Sequence, residues 1–131
     1  MSCESPNNLE QIVDHFKLHF HVAPTLKVRC PGRVNLIGEH IDYMGYGVFP
    51  MAIEQETVLL LAPTDEPVIR LHNVDSAHFP DFTFELPSDW QGTVPPKWQH
   101  YFLSGWKGAM EYLKTEQKGM LIQVSGIYLC V

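Results

Sequence analysis

The chain has 131 residues, the length of one ordinary domain, and a domain of this size buries roughly two-thirds of the surface that its unfolded chain exposes. Fifteen acidic residues against nine Lys and Arg give a net charge of -6. Because the basic residues are scattered and form no stripe, we expect no nucleic-acid partner.

The three cysteines, Cys3, Cys30 and Cys130, are odd in number and widely spaced, without C-x-x-C pairing. They predict neither a disulfide framework nor a zinc site, and they favour a reducing compartment. The N-terminal residues do not show the pattern of a signal peptide, a basic region followed by an apolar stretch, and the sequence has no run of about eighteen apolar residues. We therefore expect a cytoplasmic protein with no membrane partner.

The first third of the chain predicts a helix followed by a strand. Ser5-Pro6 is typical of a helix start, and apolar residues then recur at helical spacing as far as Phe20. Ala23-Pro24 ends this helix. Residues 26–30 alternate between apolar and basic side chains, which predicts a half-buried strand.

The middle of the chain predicts mostly sheet. Residues 47–53 and 57–62 are apolar runs typical of inner strands, and residues 68–72 form a shorter alternating one. Several prolines break the chain between residues 73 and 96, where only the alternation of residues 82–86 predicts an edge strand.

A second helix is predicted from Trp98 to Leu113, where apolar residues recur at steps of three and four. Aromatic residues at this spacing, including Trp98 and Tyr101, usually belong to the core. The sequence thus predicts two helices and five or six strands, and helices do not alternate regularly with strands along the chain. This favours an α+β fold, with a mixed or largely antiparallel sheet packed against helices.

Residues 31–43, Pro-Gly-Arg-Val-Asn-Leu-Ile-Gly-Glu-His-Ile-Asp-Tyr, are the most informative stretch of the chain. Arg33 supplies a planar cation that suits a hydroxyl losing its proton or a phosphoryl group. Glu39, His40 and Asp42 follow an apolar segment, so we expect them at the end of a short buried element. Carboxylate and imidazole groups placed there exchange hydrogen bonds with neighbouring hydroxyls, such as those of a sugar.

These residues also have a purely structural interpretation. Arg33 is compatible with a surface cation on a turn, and Glu39, His40 and Asp42 are common capping and turn residues. Tyr43, an aromatic residue beside a turn, more often packs than contacts a ligand. The concentration of such groups within so few positions favours a ligand site.

Three histidines near the first helix, His15, His19 and His21, predict no metal site. His15 and His19 are one helical turn apart, but no carboxylate or cysteine completes a ligand set in the sequence pattern. We expect them on the solvated face of the helix.

The run of residues 31–43 resembles the signature of galactokinases, which belong to the GHMP-type small-molecule kinases together with homoserine, mevalonate and phosphomevalonate kinases. The resemblance continues through residues 44–54, with a glycine-containing turn, a proline and an apolar strand. Ile41, Gly45-Tyr46 and Glu54-Gln55 are more similar to the N-acetylgalactosamine kinase branch.

The resemblance implies an enzyme that uses ATP and Mg²⁺ to phosphorylate the anomeric hydroxyl of N-acetylgalactosamine or galactose. It implies a catalytic role for Arg33, beside that hydroxyl. It also implies that Glu39, His40 and Asp42 hydrogen-bond the sugar ring and that Tyr43 lines the same pocket.

The segment Trp98-Gln99-His100-Tyr101, which follows a proline and a lysine, resembles the part of galactokinases that walls the adenine pocket. The resemblance therefore implies that Trp98 and Tyr101 bind the nucleotide. This interpretation competes with the core interpretation of the same two aromatic residues.

The family's Gly-Leu-Ser-Ser-Ser-Ser-Ala phosphate loop and its later catalytic aspartate do not occur in this sequence. Ser125-Gly126 is a poor substitute, because it cannot offer several aligned N–H donors. We therefore expect an incomplete N-terminal sugar-binding domain over residues 1–120 and a divergent C-terminal tail over residues 121–131. Such a truncated kinase domain would be inactive by itself; the alternative is a non-catalytic sugar-binding remnant or a truncated isoform with no enzymatic role.

Overall fold

The computed structural model describes residues 9–126, which form two α-helices and one five-stranded sheet. The elements are α1 (Leu9–Phe20), β1 (Leu26–Ile37), β2 (Phe49–Pro63), β3 (Val68–Asn73), β4 (Phe82–Glu85), α2 (Trp98–Leu113) and β5 (Met120–Gly126). The strand order is β1-β2-β5-β3-β4; β3 and β5 are parallel and the other pairs antiparallel. This arrangement confirms the α+β fold with a mixed sheet. The predicted helix start at Ser5-Pro6 lies outside the described residues.

The two helices pack on opposite faces of the sheet. On one face, Ile12 and Phe16 of α1 pack against side chains of β2, including Leu60. On the other face, Leu103 and Trp106 of α2 pack against residues of the neighbouring strands β3 and β5. Since successive strand residues point to opposite faces, β2 and β5 contribute to both cores.

Strand β5 lies at the centre of the sheet, between β2 and β3. Leu121 packs in the α1 core and Ile122 in the α2 core, so this strand is buried on both sides. Residues 121–126, which the sequence analysis assigned to a divergent tail, thus complete the sheet. Residues 127–131 lie outside the described part of the chain.

Strand β2 corrects the prediction of two separate strands over residues 47–53 and 57–62. Strand β2 runs through the polar residues between those runs; Glu56 pairs with Pro31, and the register with β1 shifts before the next pair, Arg33 with Ala52. The Glu56 carboxylate accepts a hydrogen bond from Arg29 Nε at 2.8 Å, and this bond lowers the pKa of Glu56. A β-bulge of this kind lets one strand continue through extra residues without ending the sheet.

Strand β1 is more exposed than the sequence predicted. Leu26 and Leu36 are about half exposed, and Ile37 is 72% exposed. Every residue of the strand except Gly32 and Asn35 is exposed, so neither the expected half-buried face nor the expected short buried element is present. The reason is its position: β1 is an edge strand that pairs only with β2, and no described β1 residue belongs to either core cluster.

Helix α2 has the predicted bounds, but its buried face is different from the predicted one. Tyr101, Tyr112 and Leu113 are exposed, whereas Gln99 and His100 are buried. The face of α2 that packs on the sheet carries Leu103 and Trp106. Tyr101 lies two residues before Leu103 and therefore on the opposite side of the helix. Neither helix of the described chain is long and apolar enough to cross a membrane.

Candidate functional site

The signature residues follow a sharp change of chain direction at the end of β1. Gly38 has φ +103°, and a Cβ added there would lie 2.4 Å from Val48 Cγ1, so only glycine fits this position. Asn35 supports the turn, because its Nδ2 donates a hydrogen bond to the Gly38 carbonyl oxygen at 2.9 Å. A 3₁₀ helix, Asp42–Met44, then returns the chain towards β2.

This turn forms an open pocket of about 390 Å³ beside β1. The pocket is lined by Arg33, Asn35, Glu39, His40, Asp42 and Tyr43. The five residues that the sequence analysis placed in a sugar site thus line a single pocket in the fold. Their roles in binding and catalysis stay predictions.

The pocket brings opposite charges close to one another. Arg33 Nη1 lies 3.7 Å from Asp42 Oδ2, and both side chains keep access to solvent. The ring of His40 meets the ring of Tyr43 edge to face, with 6.2 Å between the ring centroids. A guanidinium, two carboxylates and an imidazole can together donate and accept hydrogen bonds to several hydroxyls of one ligand.

Asn35 is a pocket residue that the sequence analysis missed. Its Oδ1 is buried and has no hydrogen-bond partner within residues 9–126, although its Nδ2 is bonded to Gly38. The signal was present in the sequence, because Asn35 follows Arg33 by two positions and side chains two apart on a strand share a face.

Trp98 and Tyr101 do not line this pocket, and they differ from each other. Trp98 packs against the α2 core, its Nε1 donates to the Pro80 carbonyl oxygen at 3.1 Å, and its ring meets Phe79 edge to face. Tyr101 is 73% exposed. The core interpretation therefore describes Trp98 but not Tyr101.

The histidines of α1 are not all on a solvated face, contrary to the expectation from sequence. His15 Nδ1 lies 3.2 Å from Gln123 Oε1, and His19 stacks on the buried His72 of β3. Asp81 lies beside this stack, so the fold supplies a carboxylate that the sequence pattern did not reveal.

The chain matches the galactokinase galactose-binding signature over residues 14–63. It is 34% identical over 117 residues to a galactokinase of Dictyostelium discoideum, an alignment that covers 86% of this chain and 23% of the relative. It is 41% identical over 105 residues to a galactokinase of Candida parapsilosis, covering 75% of this chain and 20% of the relative. The chain thus spans about a quarter or less of the length of these curated relatives.

Two solved structures share the fold of this chain over most of its length. The crystal structure of Lactococcus lactis galactokinase complexed with galactose superimposes with a TM-score of 0.72 at 24% identity, covering 92% of this chain and 31% of that one. The Methanococcus jannaschii mevalonate kinase superimposes with a TM-score of 0.66 at 24% identity, covering 79% and 33%.

The fold is therefore that of a partial N-terminal domain of GHMP-type kinases. Within that class, the matched signature and the curated relatives support membership of the galactokinase family.

Proposed function

We propose that this chain is the sugar-binding part of a galactokinase-family enzyme, which transfers the γ-phosphoryl group of ATP to the anomeric hydroxyl of galactose or N-acetylgalactosamine. The observation that carries the proposal is the single polar pocket formed within the matched signature. We also propose a cytoplasmic location, in keeping with the exposed free thiol of Cys30.

In this proposal, Arg33 is the catalytic residue of the pocket. Its guanidinium lies beside the acceptor hydroxyl and stabilises the negative charge that develops as the hydroxyl oxygen attacks the phosphoryl group. Asp42, with Oδ2 3.7 Å from Arg33 Nη1, limits the positions that the guanidinium adopts. A fixed cation contributes most when it does not have to reorganise during the reaction.

Glu39, His40 and Asp42 select the sugar, and Tyr43 closes one side of the pocket. Each carboxylate accepts hydrogen bonds from ring hydroxyls, while His40 donates or accepts according to its tautomer. An epimer with a misdirected hydroxyl would leave one of these groups unpaired, which discriminates strongly between sugars.

The finer assignment is the N-acetylgalactosamine kinase branch. It is supported by Ile41, Gly45-Tyr46 and Glu54-Gln55, which are similar to that branch in sequence. A titration that compares N-acetylgalactosamine with galactose tests this assignment, and tighter binding of galactose would contradict it.

The proposed nucleotide contacts are Trp98 and Tyr101. The exposed ring of Tyr101, one helical turn from Trp98, offers a face on which a purine can stack. ATP, bound with Mg²⁺, supplies the phosphoryl group of the reaction. The 131-residue sequence contains no Gly/Ser-rich phosphate loop, so we propose that the chain by itself binds sugar without phosphorylating it.

The test is calorimetry of the purified chain with galactose, N-acetylgalactosamine and glucose, followed by an assay for sugar 1-phosphate with Mg-ATP. We expect binding of one of the first two sugars, weaker binding of glucose and no product above a blank without protein. A His40→Ala variant should lose binding, whereas His78→Ala, outside the pocket, should not. Equal affinity for all three sugars contradicts the sugar site, and ATP-dependent product contradicts the inactivity of the chain.

The same assays separate the second candidate, a sugar-binding protein with no enzymatic role. The polar pocket formed within residues 33–43 suffices for this role. A longer message from the same locus that restores a Gly/Ser-rich loop and a catalytic aspartate would favour the kinase.

A further inference from the structure

A second polar cluster lies far from the signature in sequence, between α1 and the sheet. His19 comes from α1, His72 from β3 and Asp81 from the segment that leads into β4. One potential ligand atom of each residue lies within 4.8 Å of the others. The three side chains therefore converge from three separate elements.

Asp81 contacts both histidines. Its Oδ1 lies 2.6 Å from His72 Nδ1, and its Oδ2 lies 3.3 Å from His19 Nε2. The rings of His19 and His72 stack with 3.7 Å between centroids, and His15 covers the buried ring with 5.2 Å between centroids. The cluster thus concentrates imidazole nitrogens around one carboxylate.

The buried member, His72, has a polar partner at only one of its two ring nitrogens, Nδ1, which contacts Asp81. Its side chain is 5% exposed, and its Nε2 has no hydrogen-bond partner among residues 9–126. Gln123, which pairs with His72 on the neighbouring strand, uses its side chain elsewhere. Its Nε2 donates to the Ile12 carbonyl oxygen at 2.8 Å, and its Oε1 contacts His15 Nδ1. The ring of His72 is therefore held in the protein interior with Nδ1 directed at the Asp81 carboxylate, the position that a shared ion would occupy.

We propose that His19, His72 and Asp81 form a binding site for a divalent transition-metal ion of the zinc class, held by His19 Nε2, His72 Nδ1 and one Asp81 carboxylate oxygen. Two imidazole nitrogens and one carboxylate oxygen form a donor set that suits Zn²⁺, with the fourth position taken by water. Such an ion would link α1 to β3 and the segment before β4. This site is separate from the sugar pocket and does not depend on the proposed kinase function.

The geometry needs a small local adjustment to close on an ion. Metal bonds of about 2.0–2.1 Å in a tetrahedron place ligand atoms roughly 3.3 Å apart, which the His19–Asp81 distance of 3.3 Å already matches. With Asp81 Oδ2 as the ligand atom, the carboxylate must turn, because the 2.6 Å contact of His72 Nδ1 is with the other oxygen, Oδ1. The His19 ring must also turn out of its stack, because nitrogen lone pairs lie in the ring plane.

His19 is the member that can make this adjustment. It lies in the last turn of α1 with its side chain one-third exposed, so its ring can turn towards solvent, at the cost of its contacts with the His72 and Phe20 rings. Its Nε2 already faces Asp81 Oδ2 at 3.3 Å.

The experiment is a titration of the untagged 131-residue protein with Zn²⁺ by calorimetry, repeated with Co²⁺, whose visible absorption reports tetrahedral coordination. We expect His19→Ala and Asp81→Asn each to weaken Zn²⁺ binding at least about 10-fold, since even changes beyond the direct ligands cost about 10- to 100-fold. Zn²⁺ at 100 times its Kd should raise the melting temperature of the wild type by roughly 5–10 °C.

Two control variants distinguish this site from adventitious binding. His78→Ala removes an exposed imidazole that contacts the Asp75 carboxylate at 2.9 Å, and it should leave Zn²⁺ affinity unchanged. Cys30→Ser removes the exposed thiol and should also have no effect. Absence of Zn²⁺ binding, or binding that is lost with Cys30→Ser or His78→Ala but kept in His19→Ala, overturns the proposal. Melting of each variant in EDTA checks that it folds.

Discussion

Replacing Asp42 by Asn separates the ligand interpretation of the signature from the turn interpretation. The 3₁₀ helix has no side-chain cap and is closed by backbone bonds, such as the one from the Gly45 N–H to the Asp42 carbonyl oxygen at 3.1 Å. The carboxylate instead lies 3.7 Å from Arg33 Nη1, with more than a third of its surface exposed. An ion pair as exposed as this contributes at most about 1 kcal/mol to stability.

The loss of sugar binding should be much larger than the loss of stability. Asn keeps the shape of Asp but turns one acceptor into a donor that faces the sugar. Losing a charge-assisted hydrogen bond and leaving a hydroxyl poorly paired costs about 2–3 kcal/mol, or roughly 30- to 150-fold in affinity. The melting temperature should change by no more than a few degrees.

Calorimetry with galactose and N-acetylgalactosamine, together with thermal melts of both proteins, measures the two effects. Weaker sugar binding with a nearly unchanged melting temperature supports the site. Unchanged affinity for both sugars would refute the reasoning and leave Asp42 as a turn residue. A collapse of the melting temperature would show that the carboxylate is structural.

Three further variants test catalysis, the turn and the core. In a longer protein that carries the missing kinase segments, Arg33→Ala should lower kcat at least about 100-fold with little change in sugar KM, and a change in KM only would contradict its role. Gly38→Ala should destabilise the fold by about 2–4 kcal/mol, because the added methyl is strained at this φ and contacts Val48. Gly45→Ala should cost less, because its added methyl meets open space. Equal urea midpoints for the two variants would argue against this explanation. Ile122→Ala, at a fully buried position, should cost about 2–5 kcal/mol in urea unfolding, and a loss below about 1 kcal/mol would place the core elsewhere.

Local patterns in the sequence determined the two helices, strands β3 and β4, and the residues that line the pocket. Periodicity predicted α1 and α2, and alternation predicted β3 and β4, because these signals depend on neighbours along the chain. The pocket was predictable for the same reason: Arg33 through Tyr43 are close in sequence, so one turn brings them together.

Only the tertiary structure decided which apolar residues are buried and which distant polar groups meet. The sequence predicted Leu36 and Ile37 as buried, but they lie on an edge strand outside both core clusters of residues 9–126. Tyr101 points away from the α2 core. His19 and Asp81 are far apart along the chain and meet only because α1 packs on the face of the sheet that carries His72. Periodicity describes one element at a time, whereas burial and long-range contacts depend on what packs against that element.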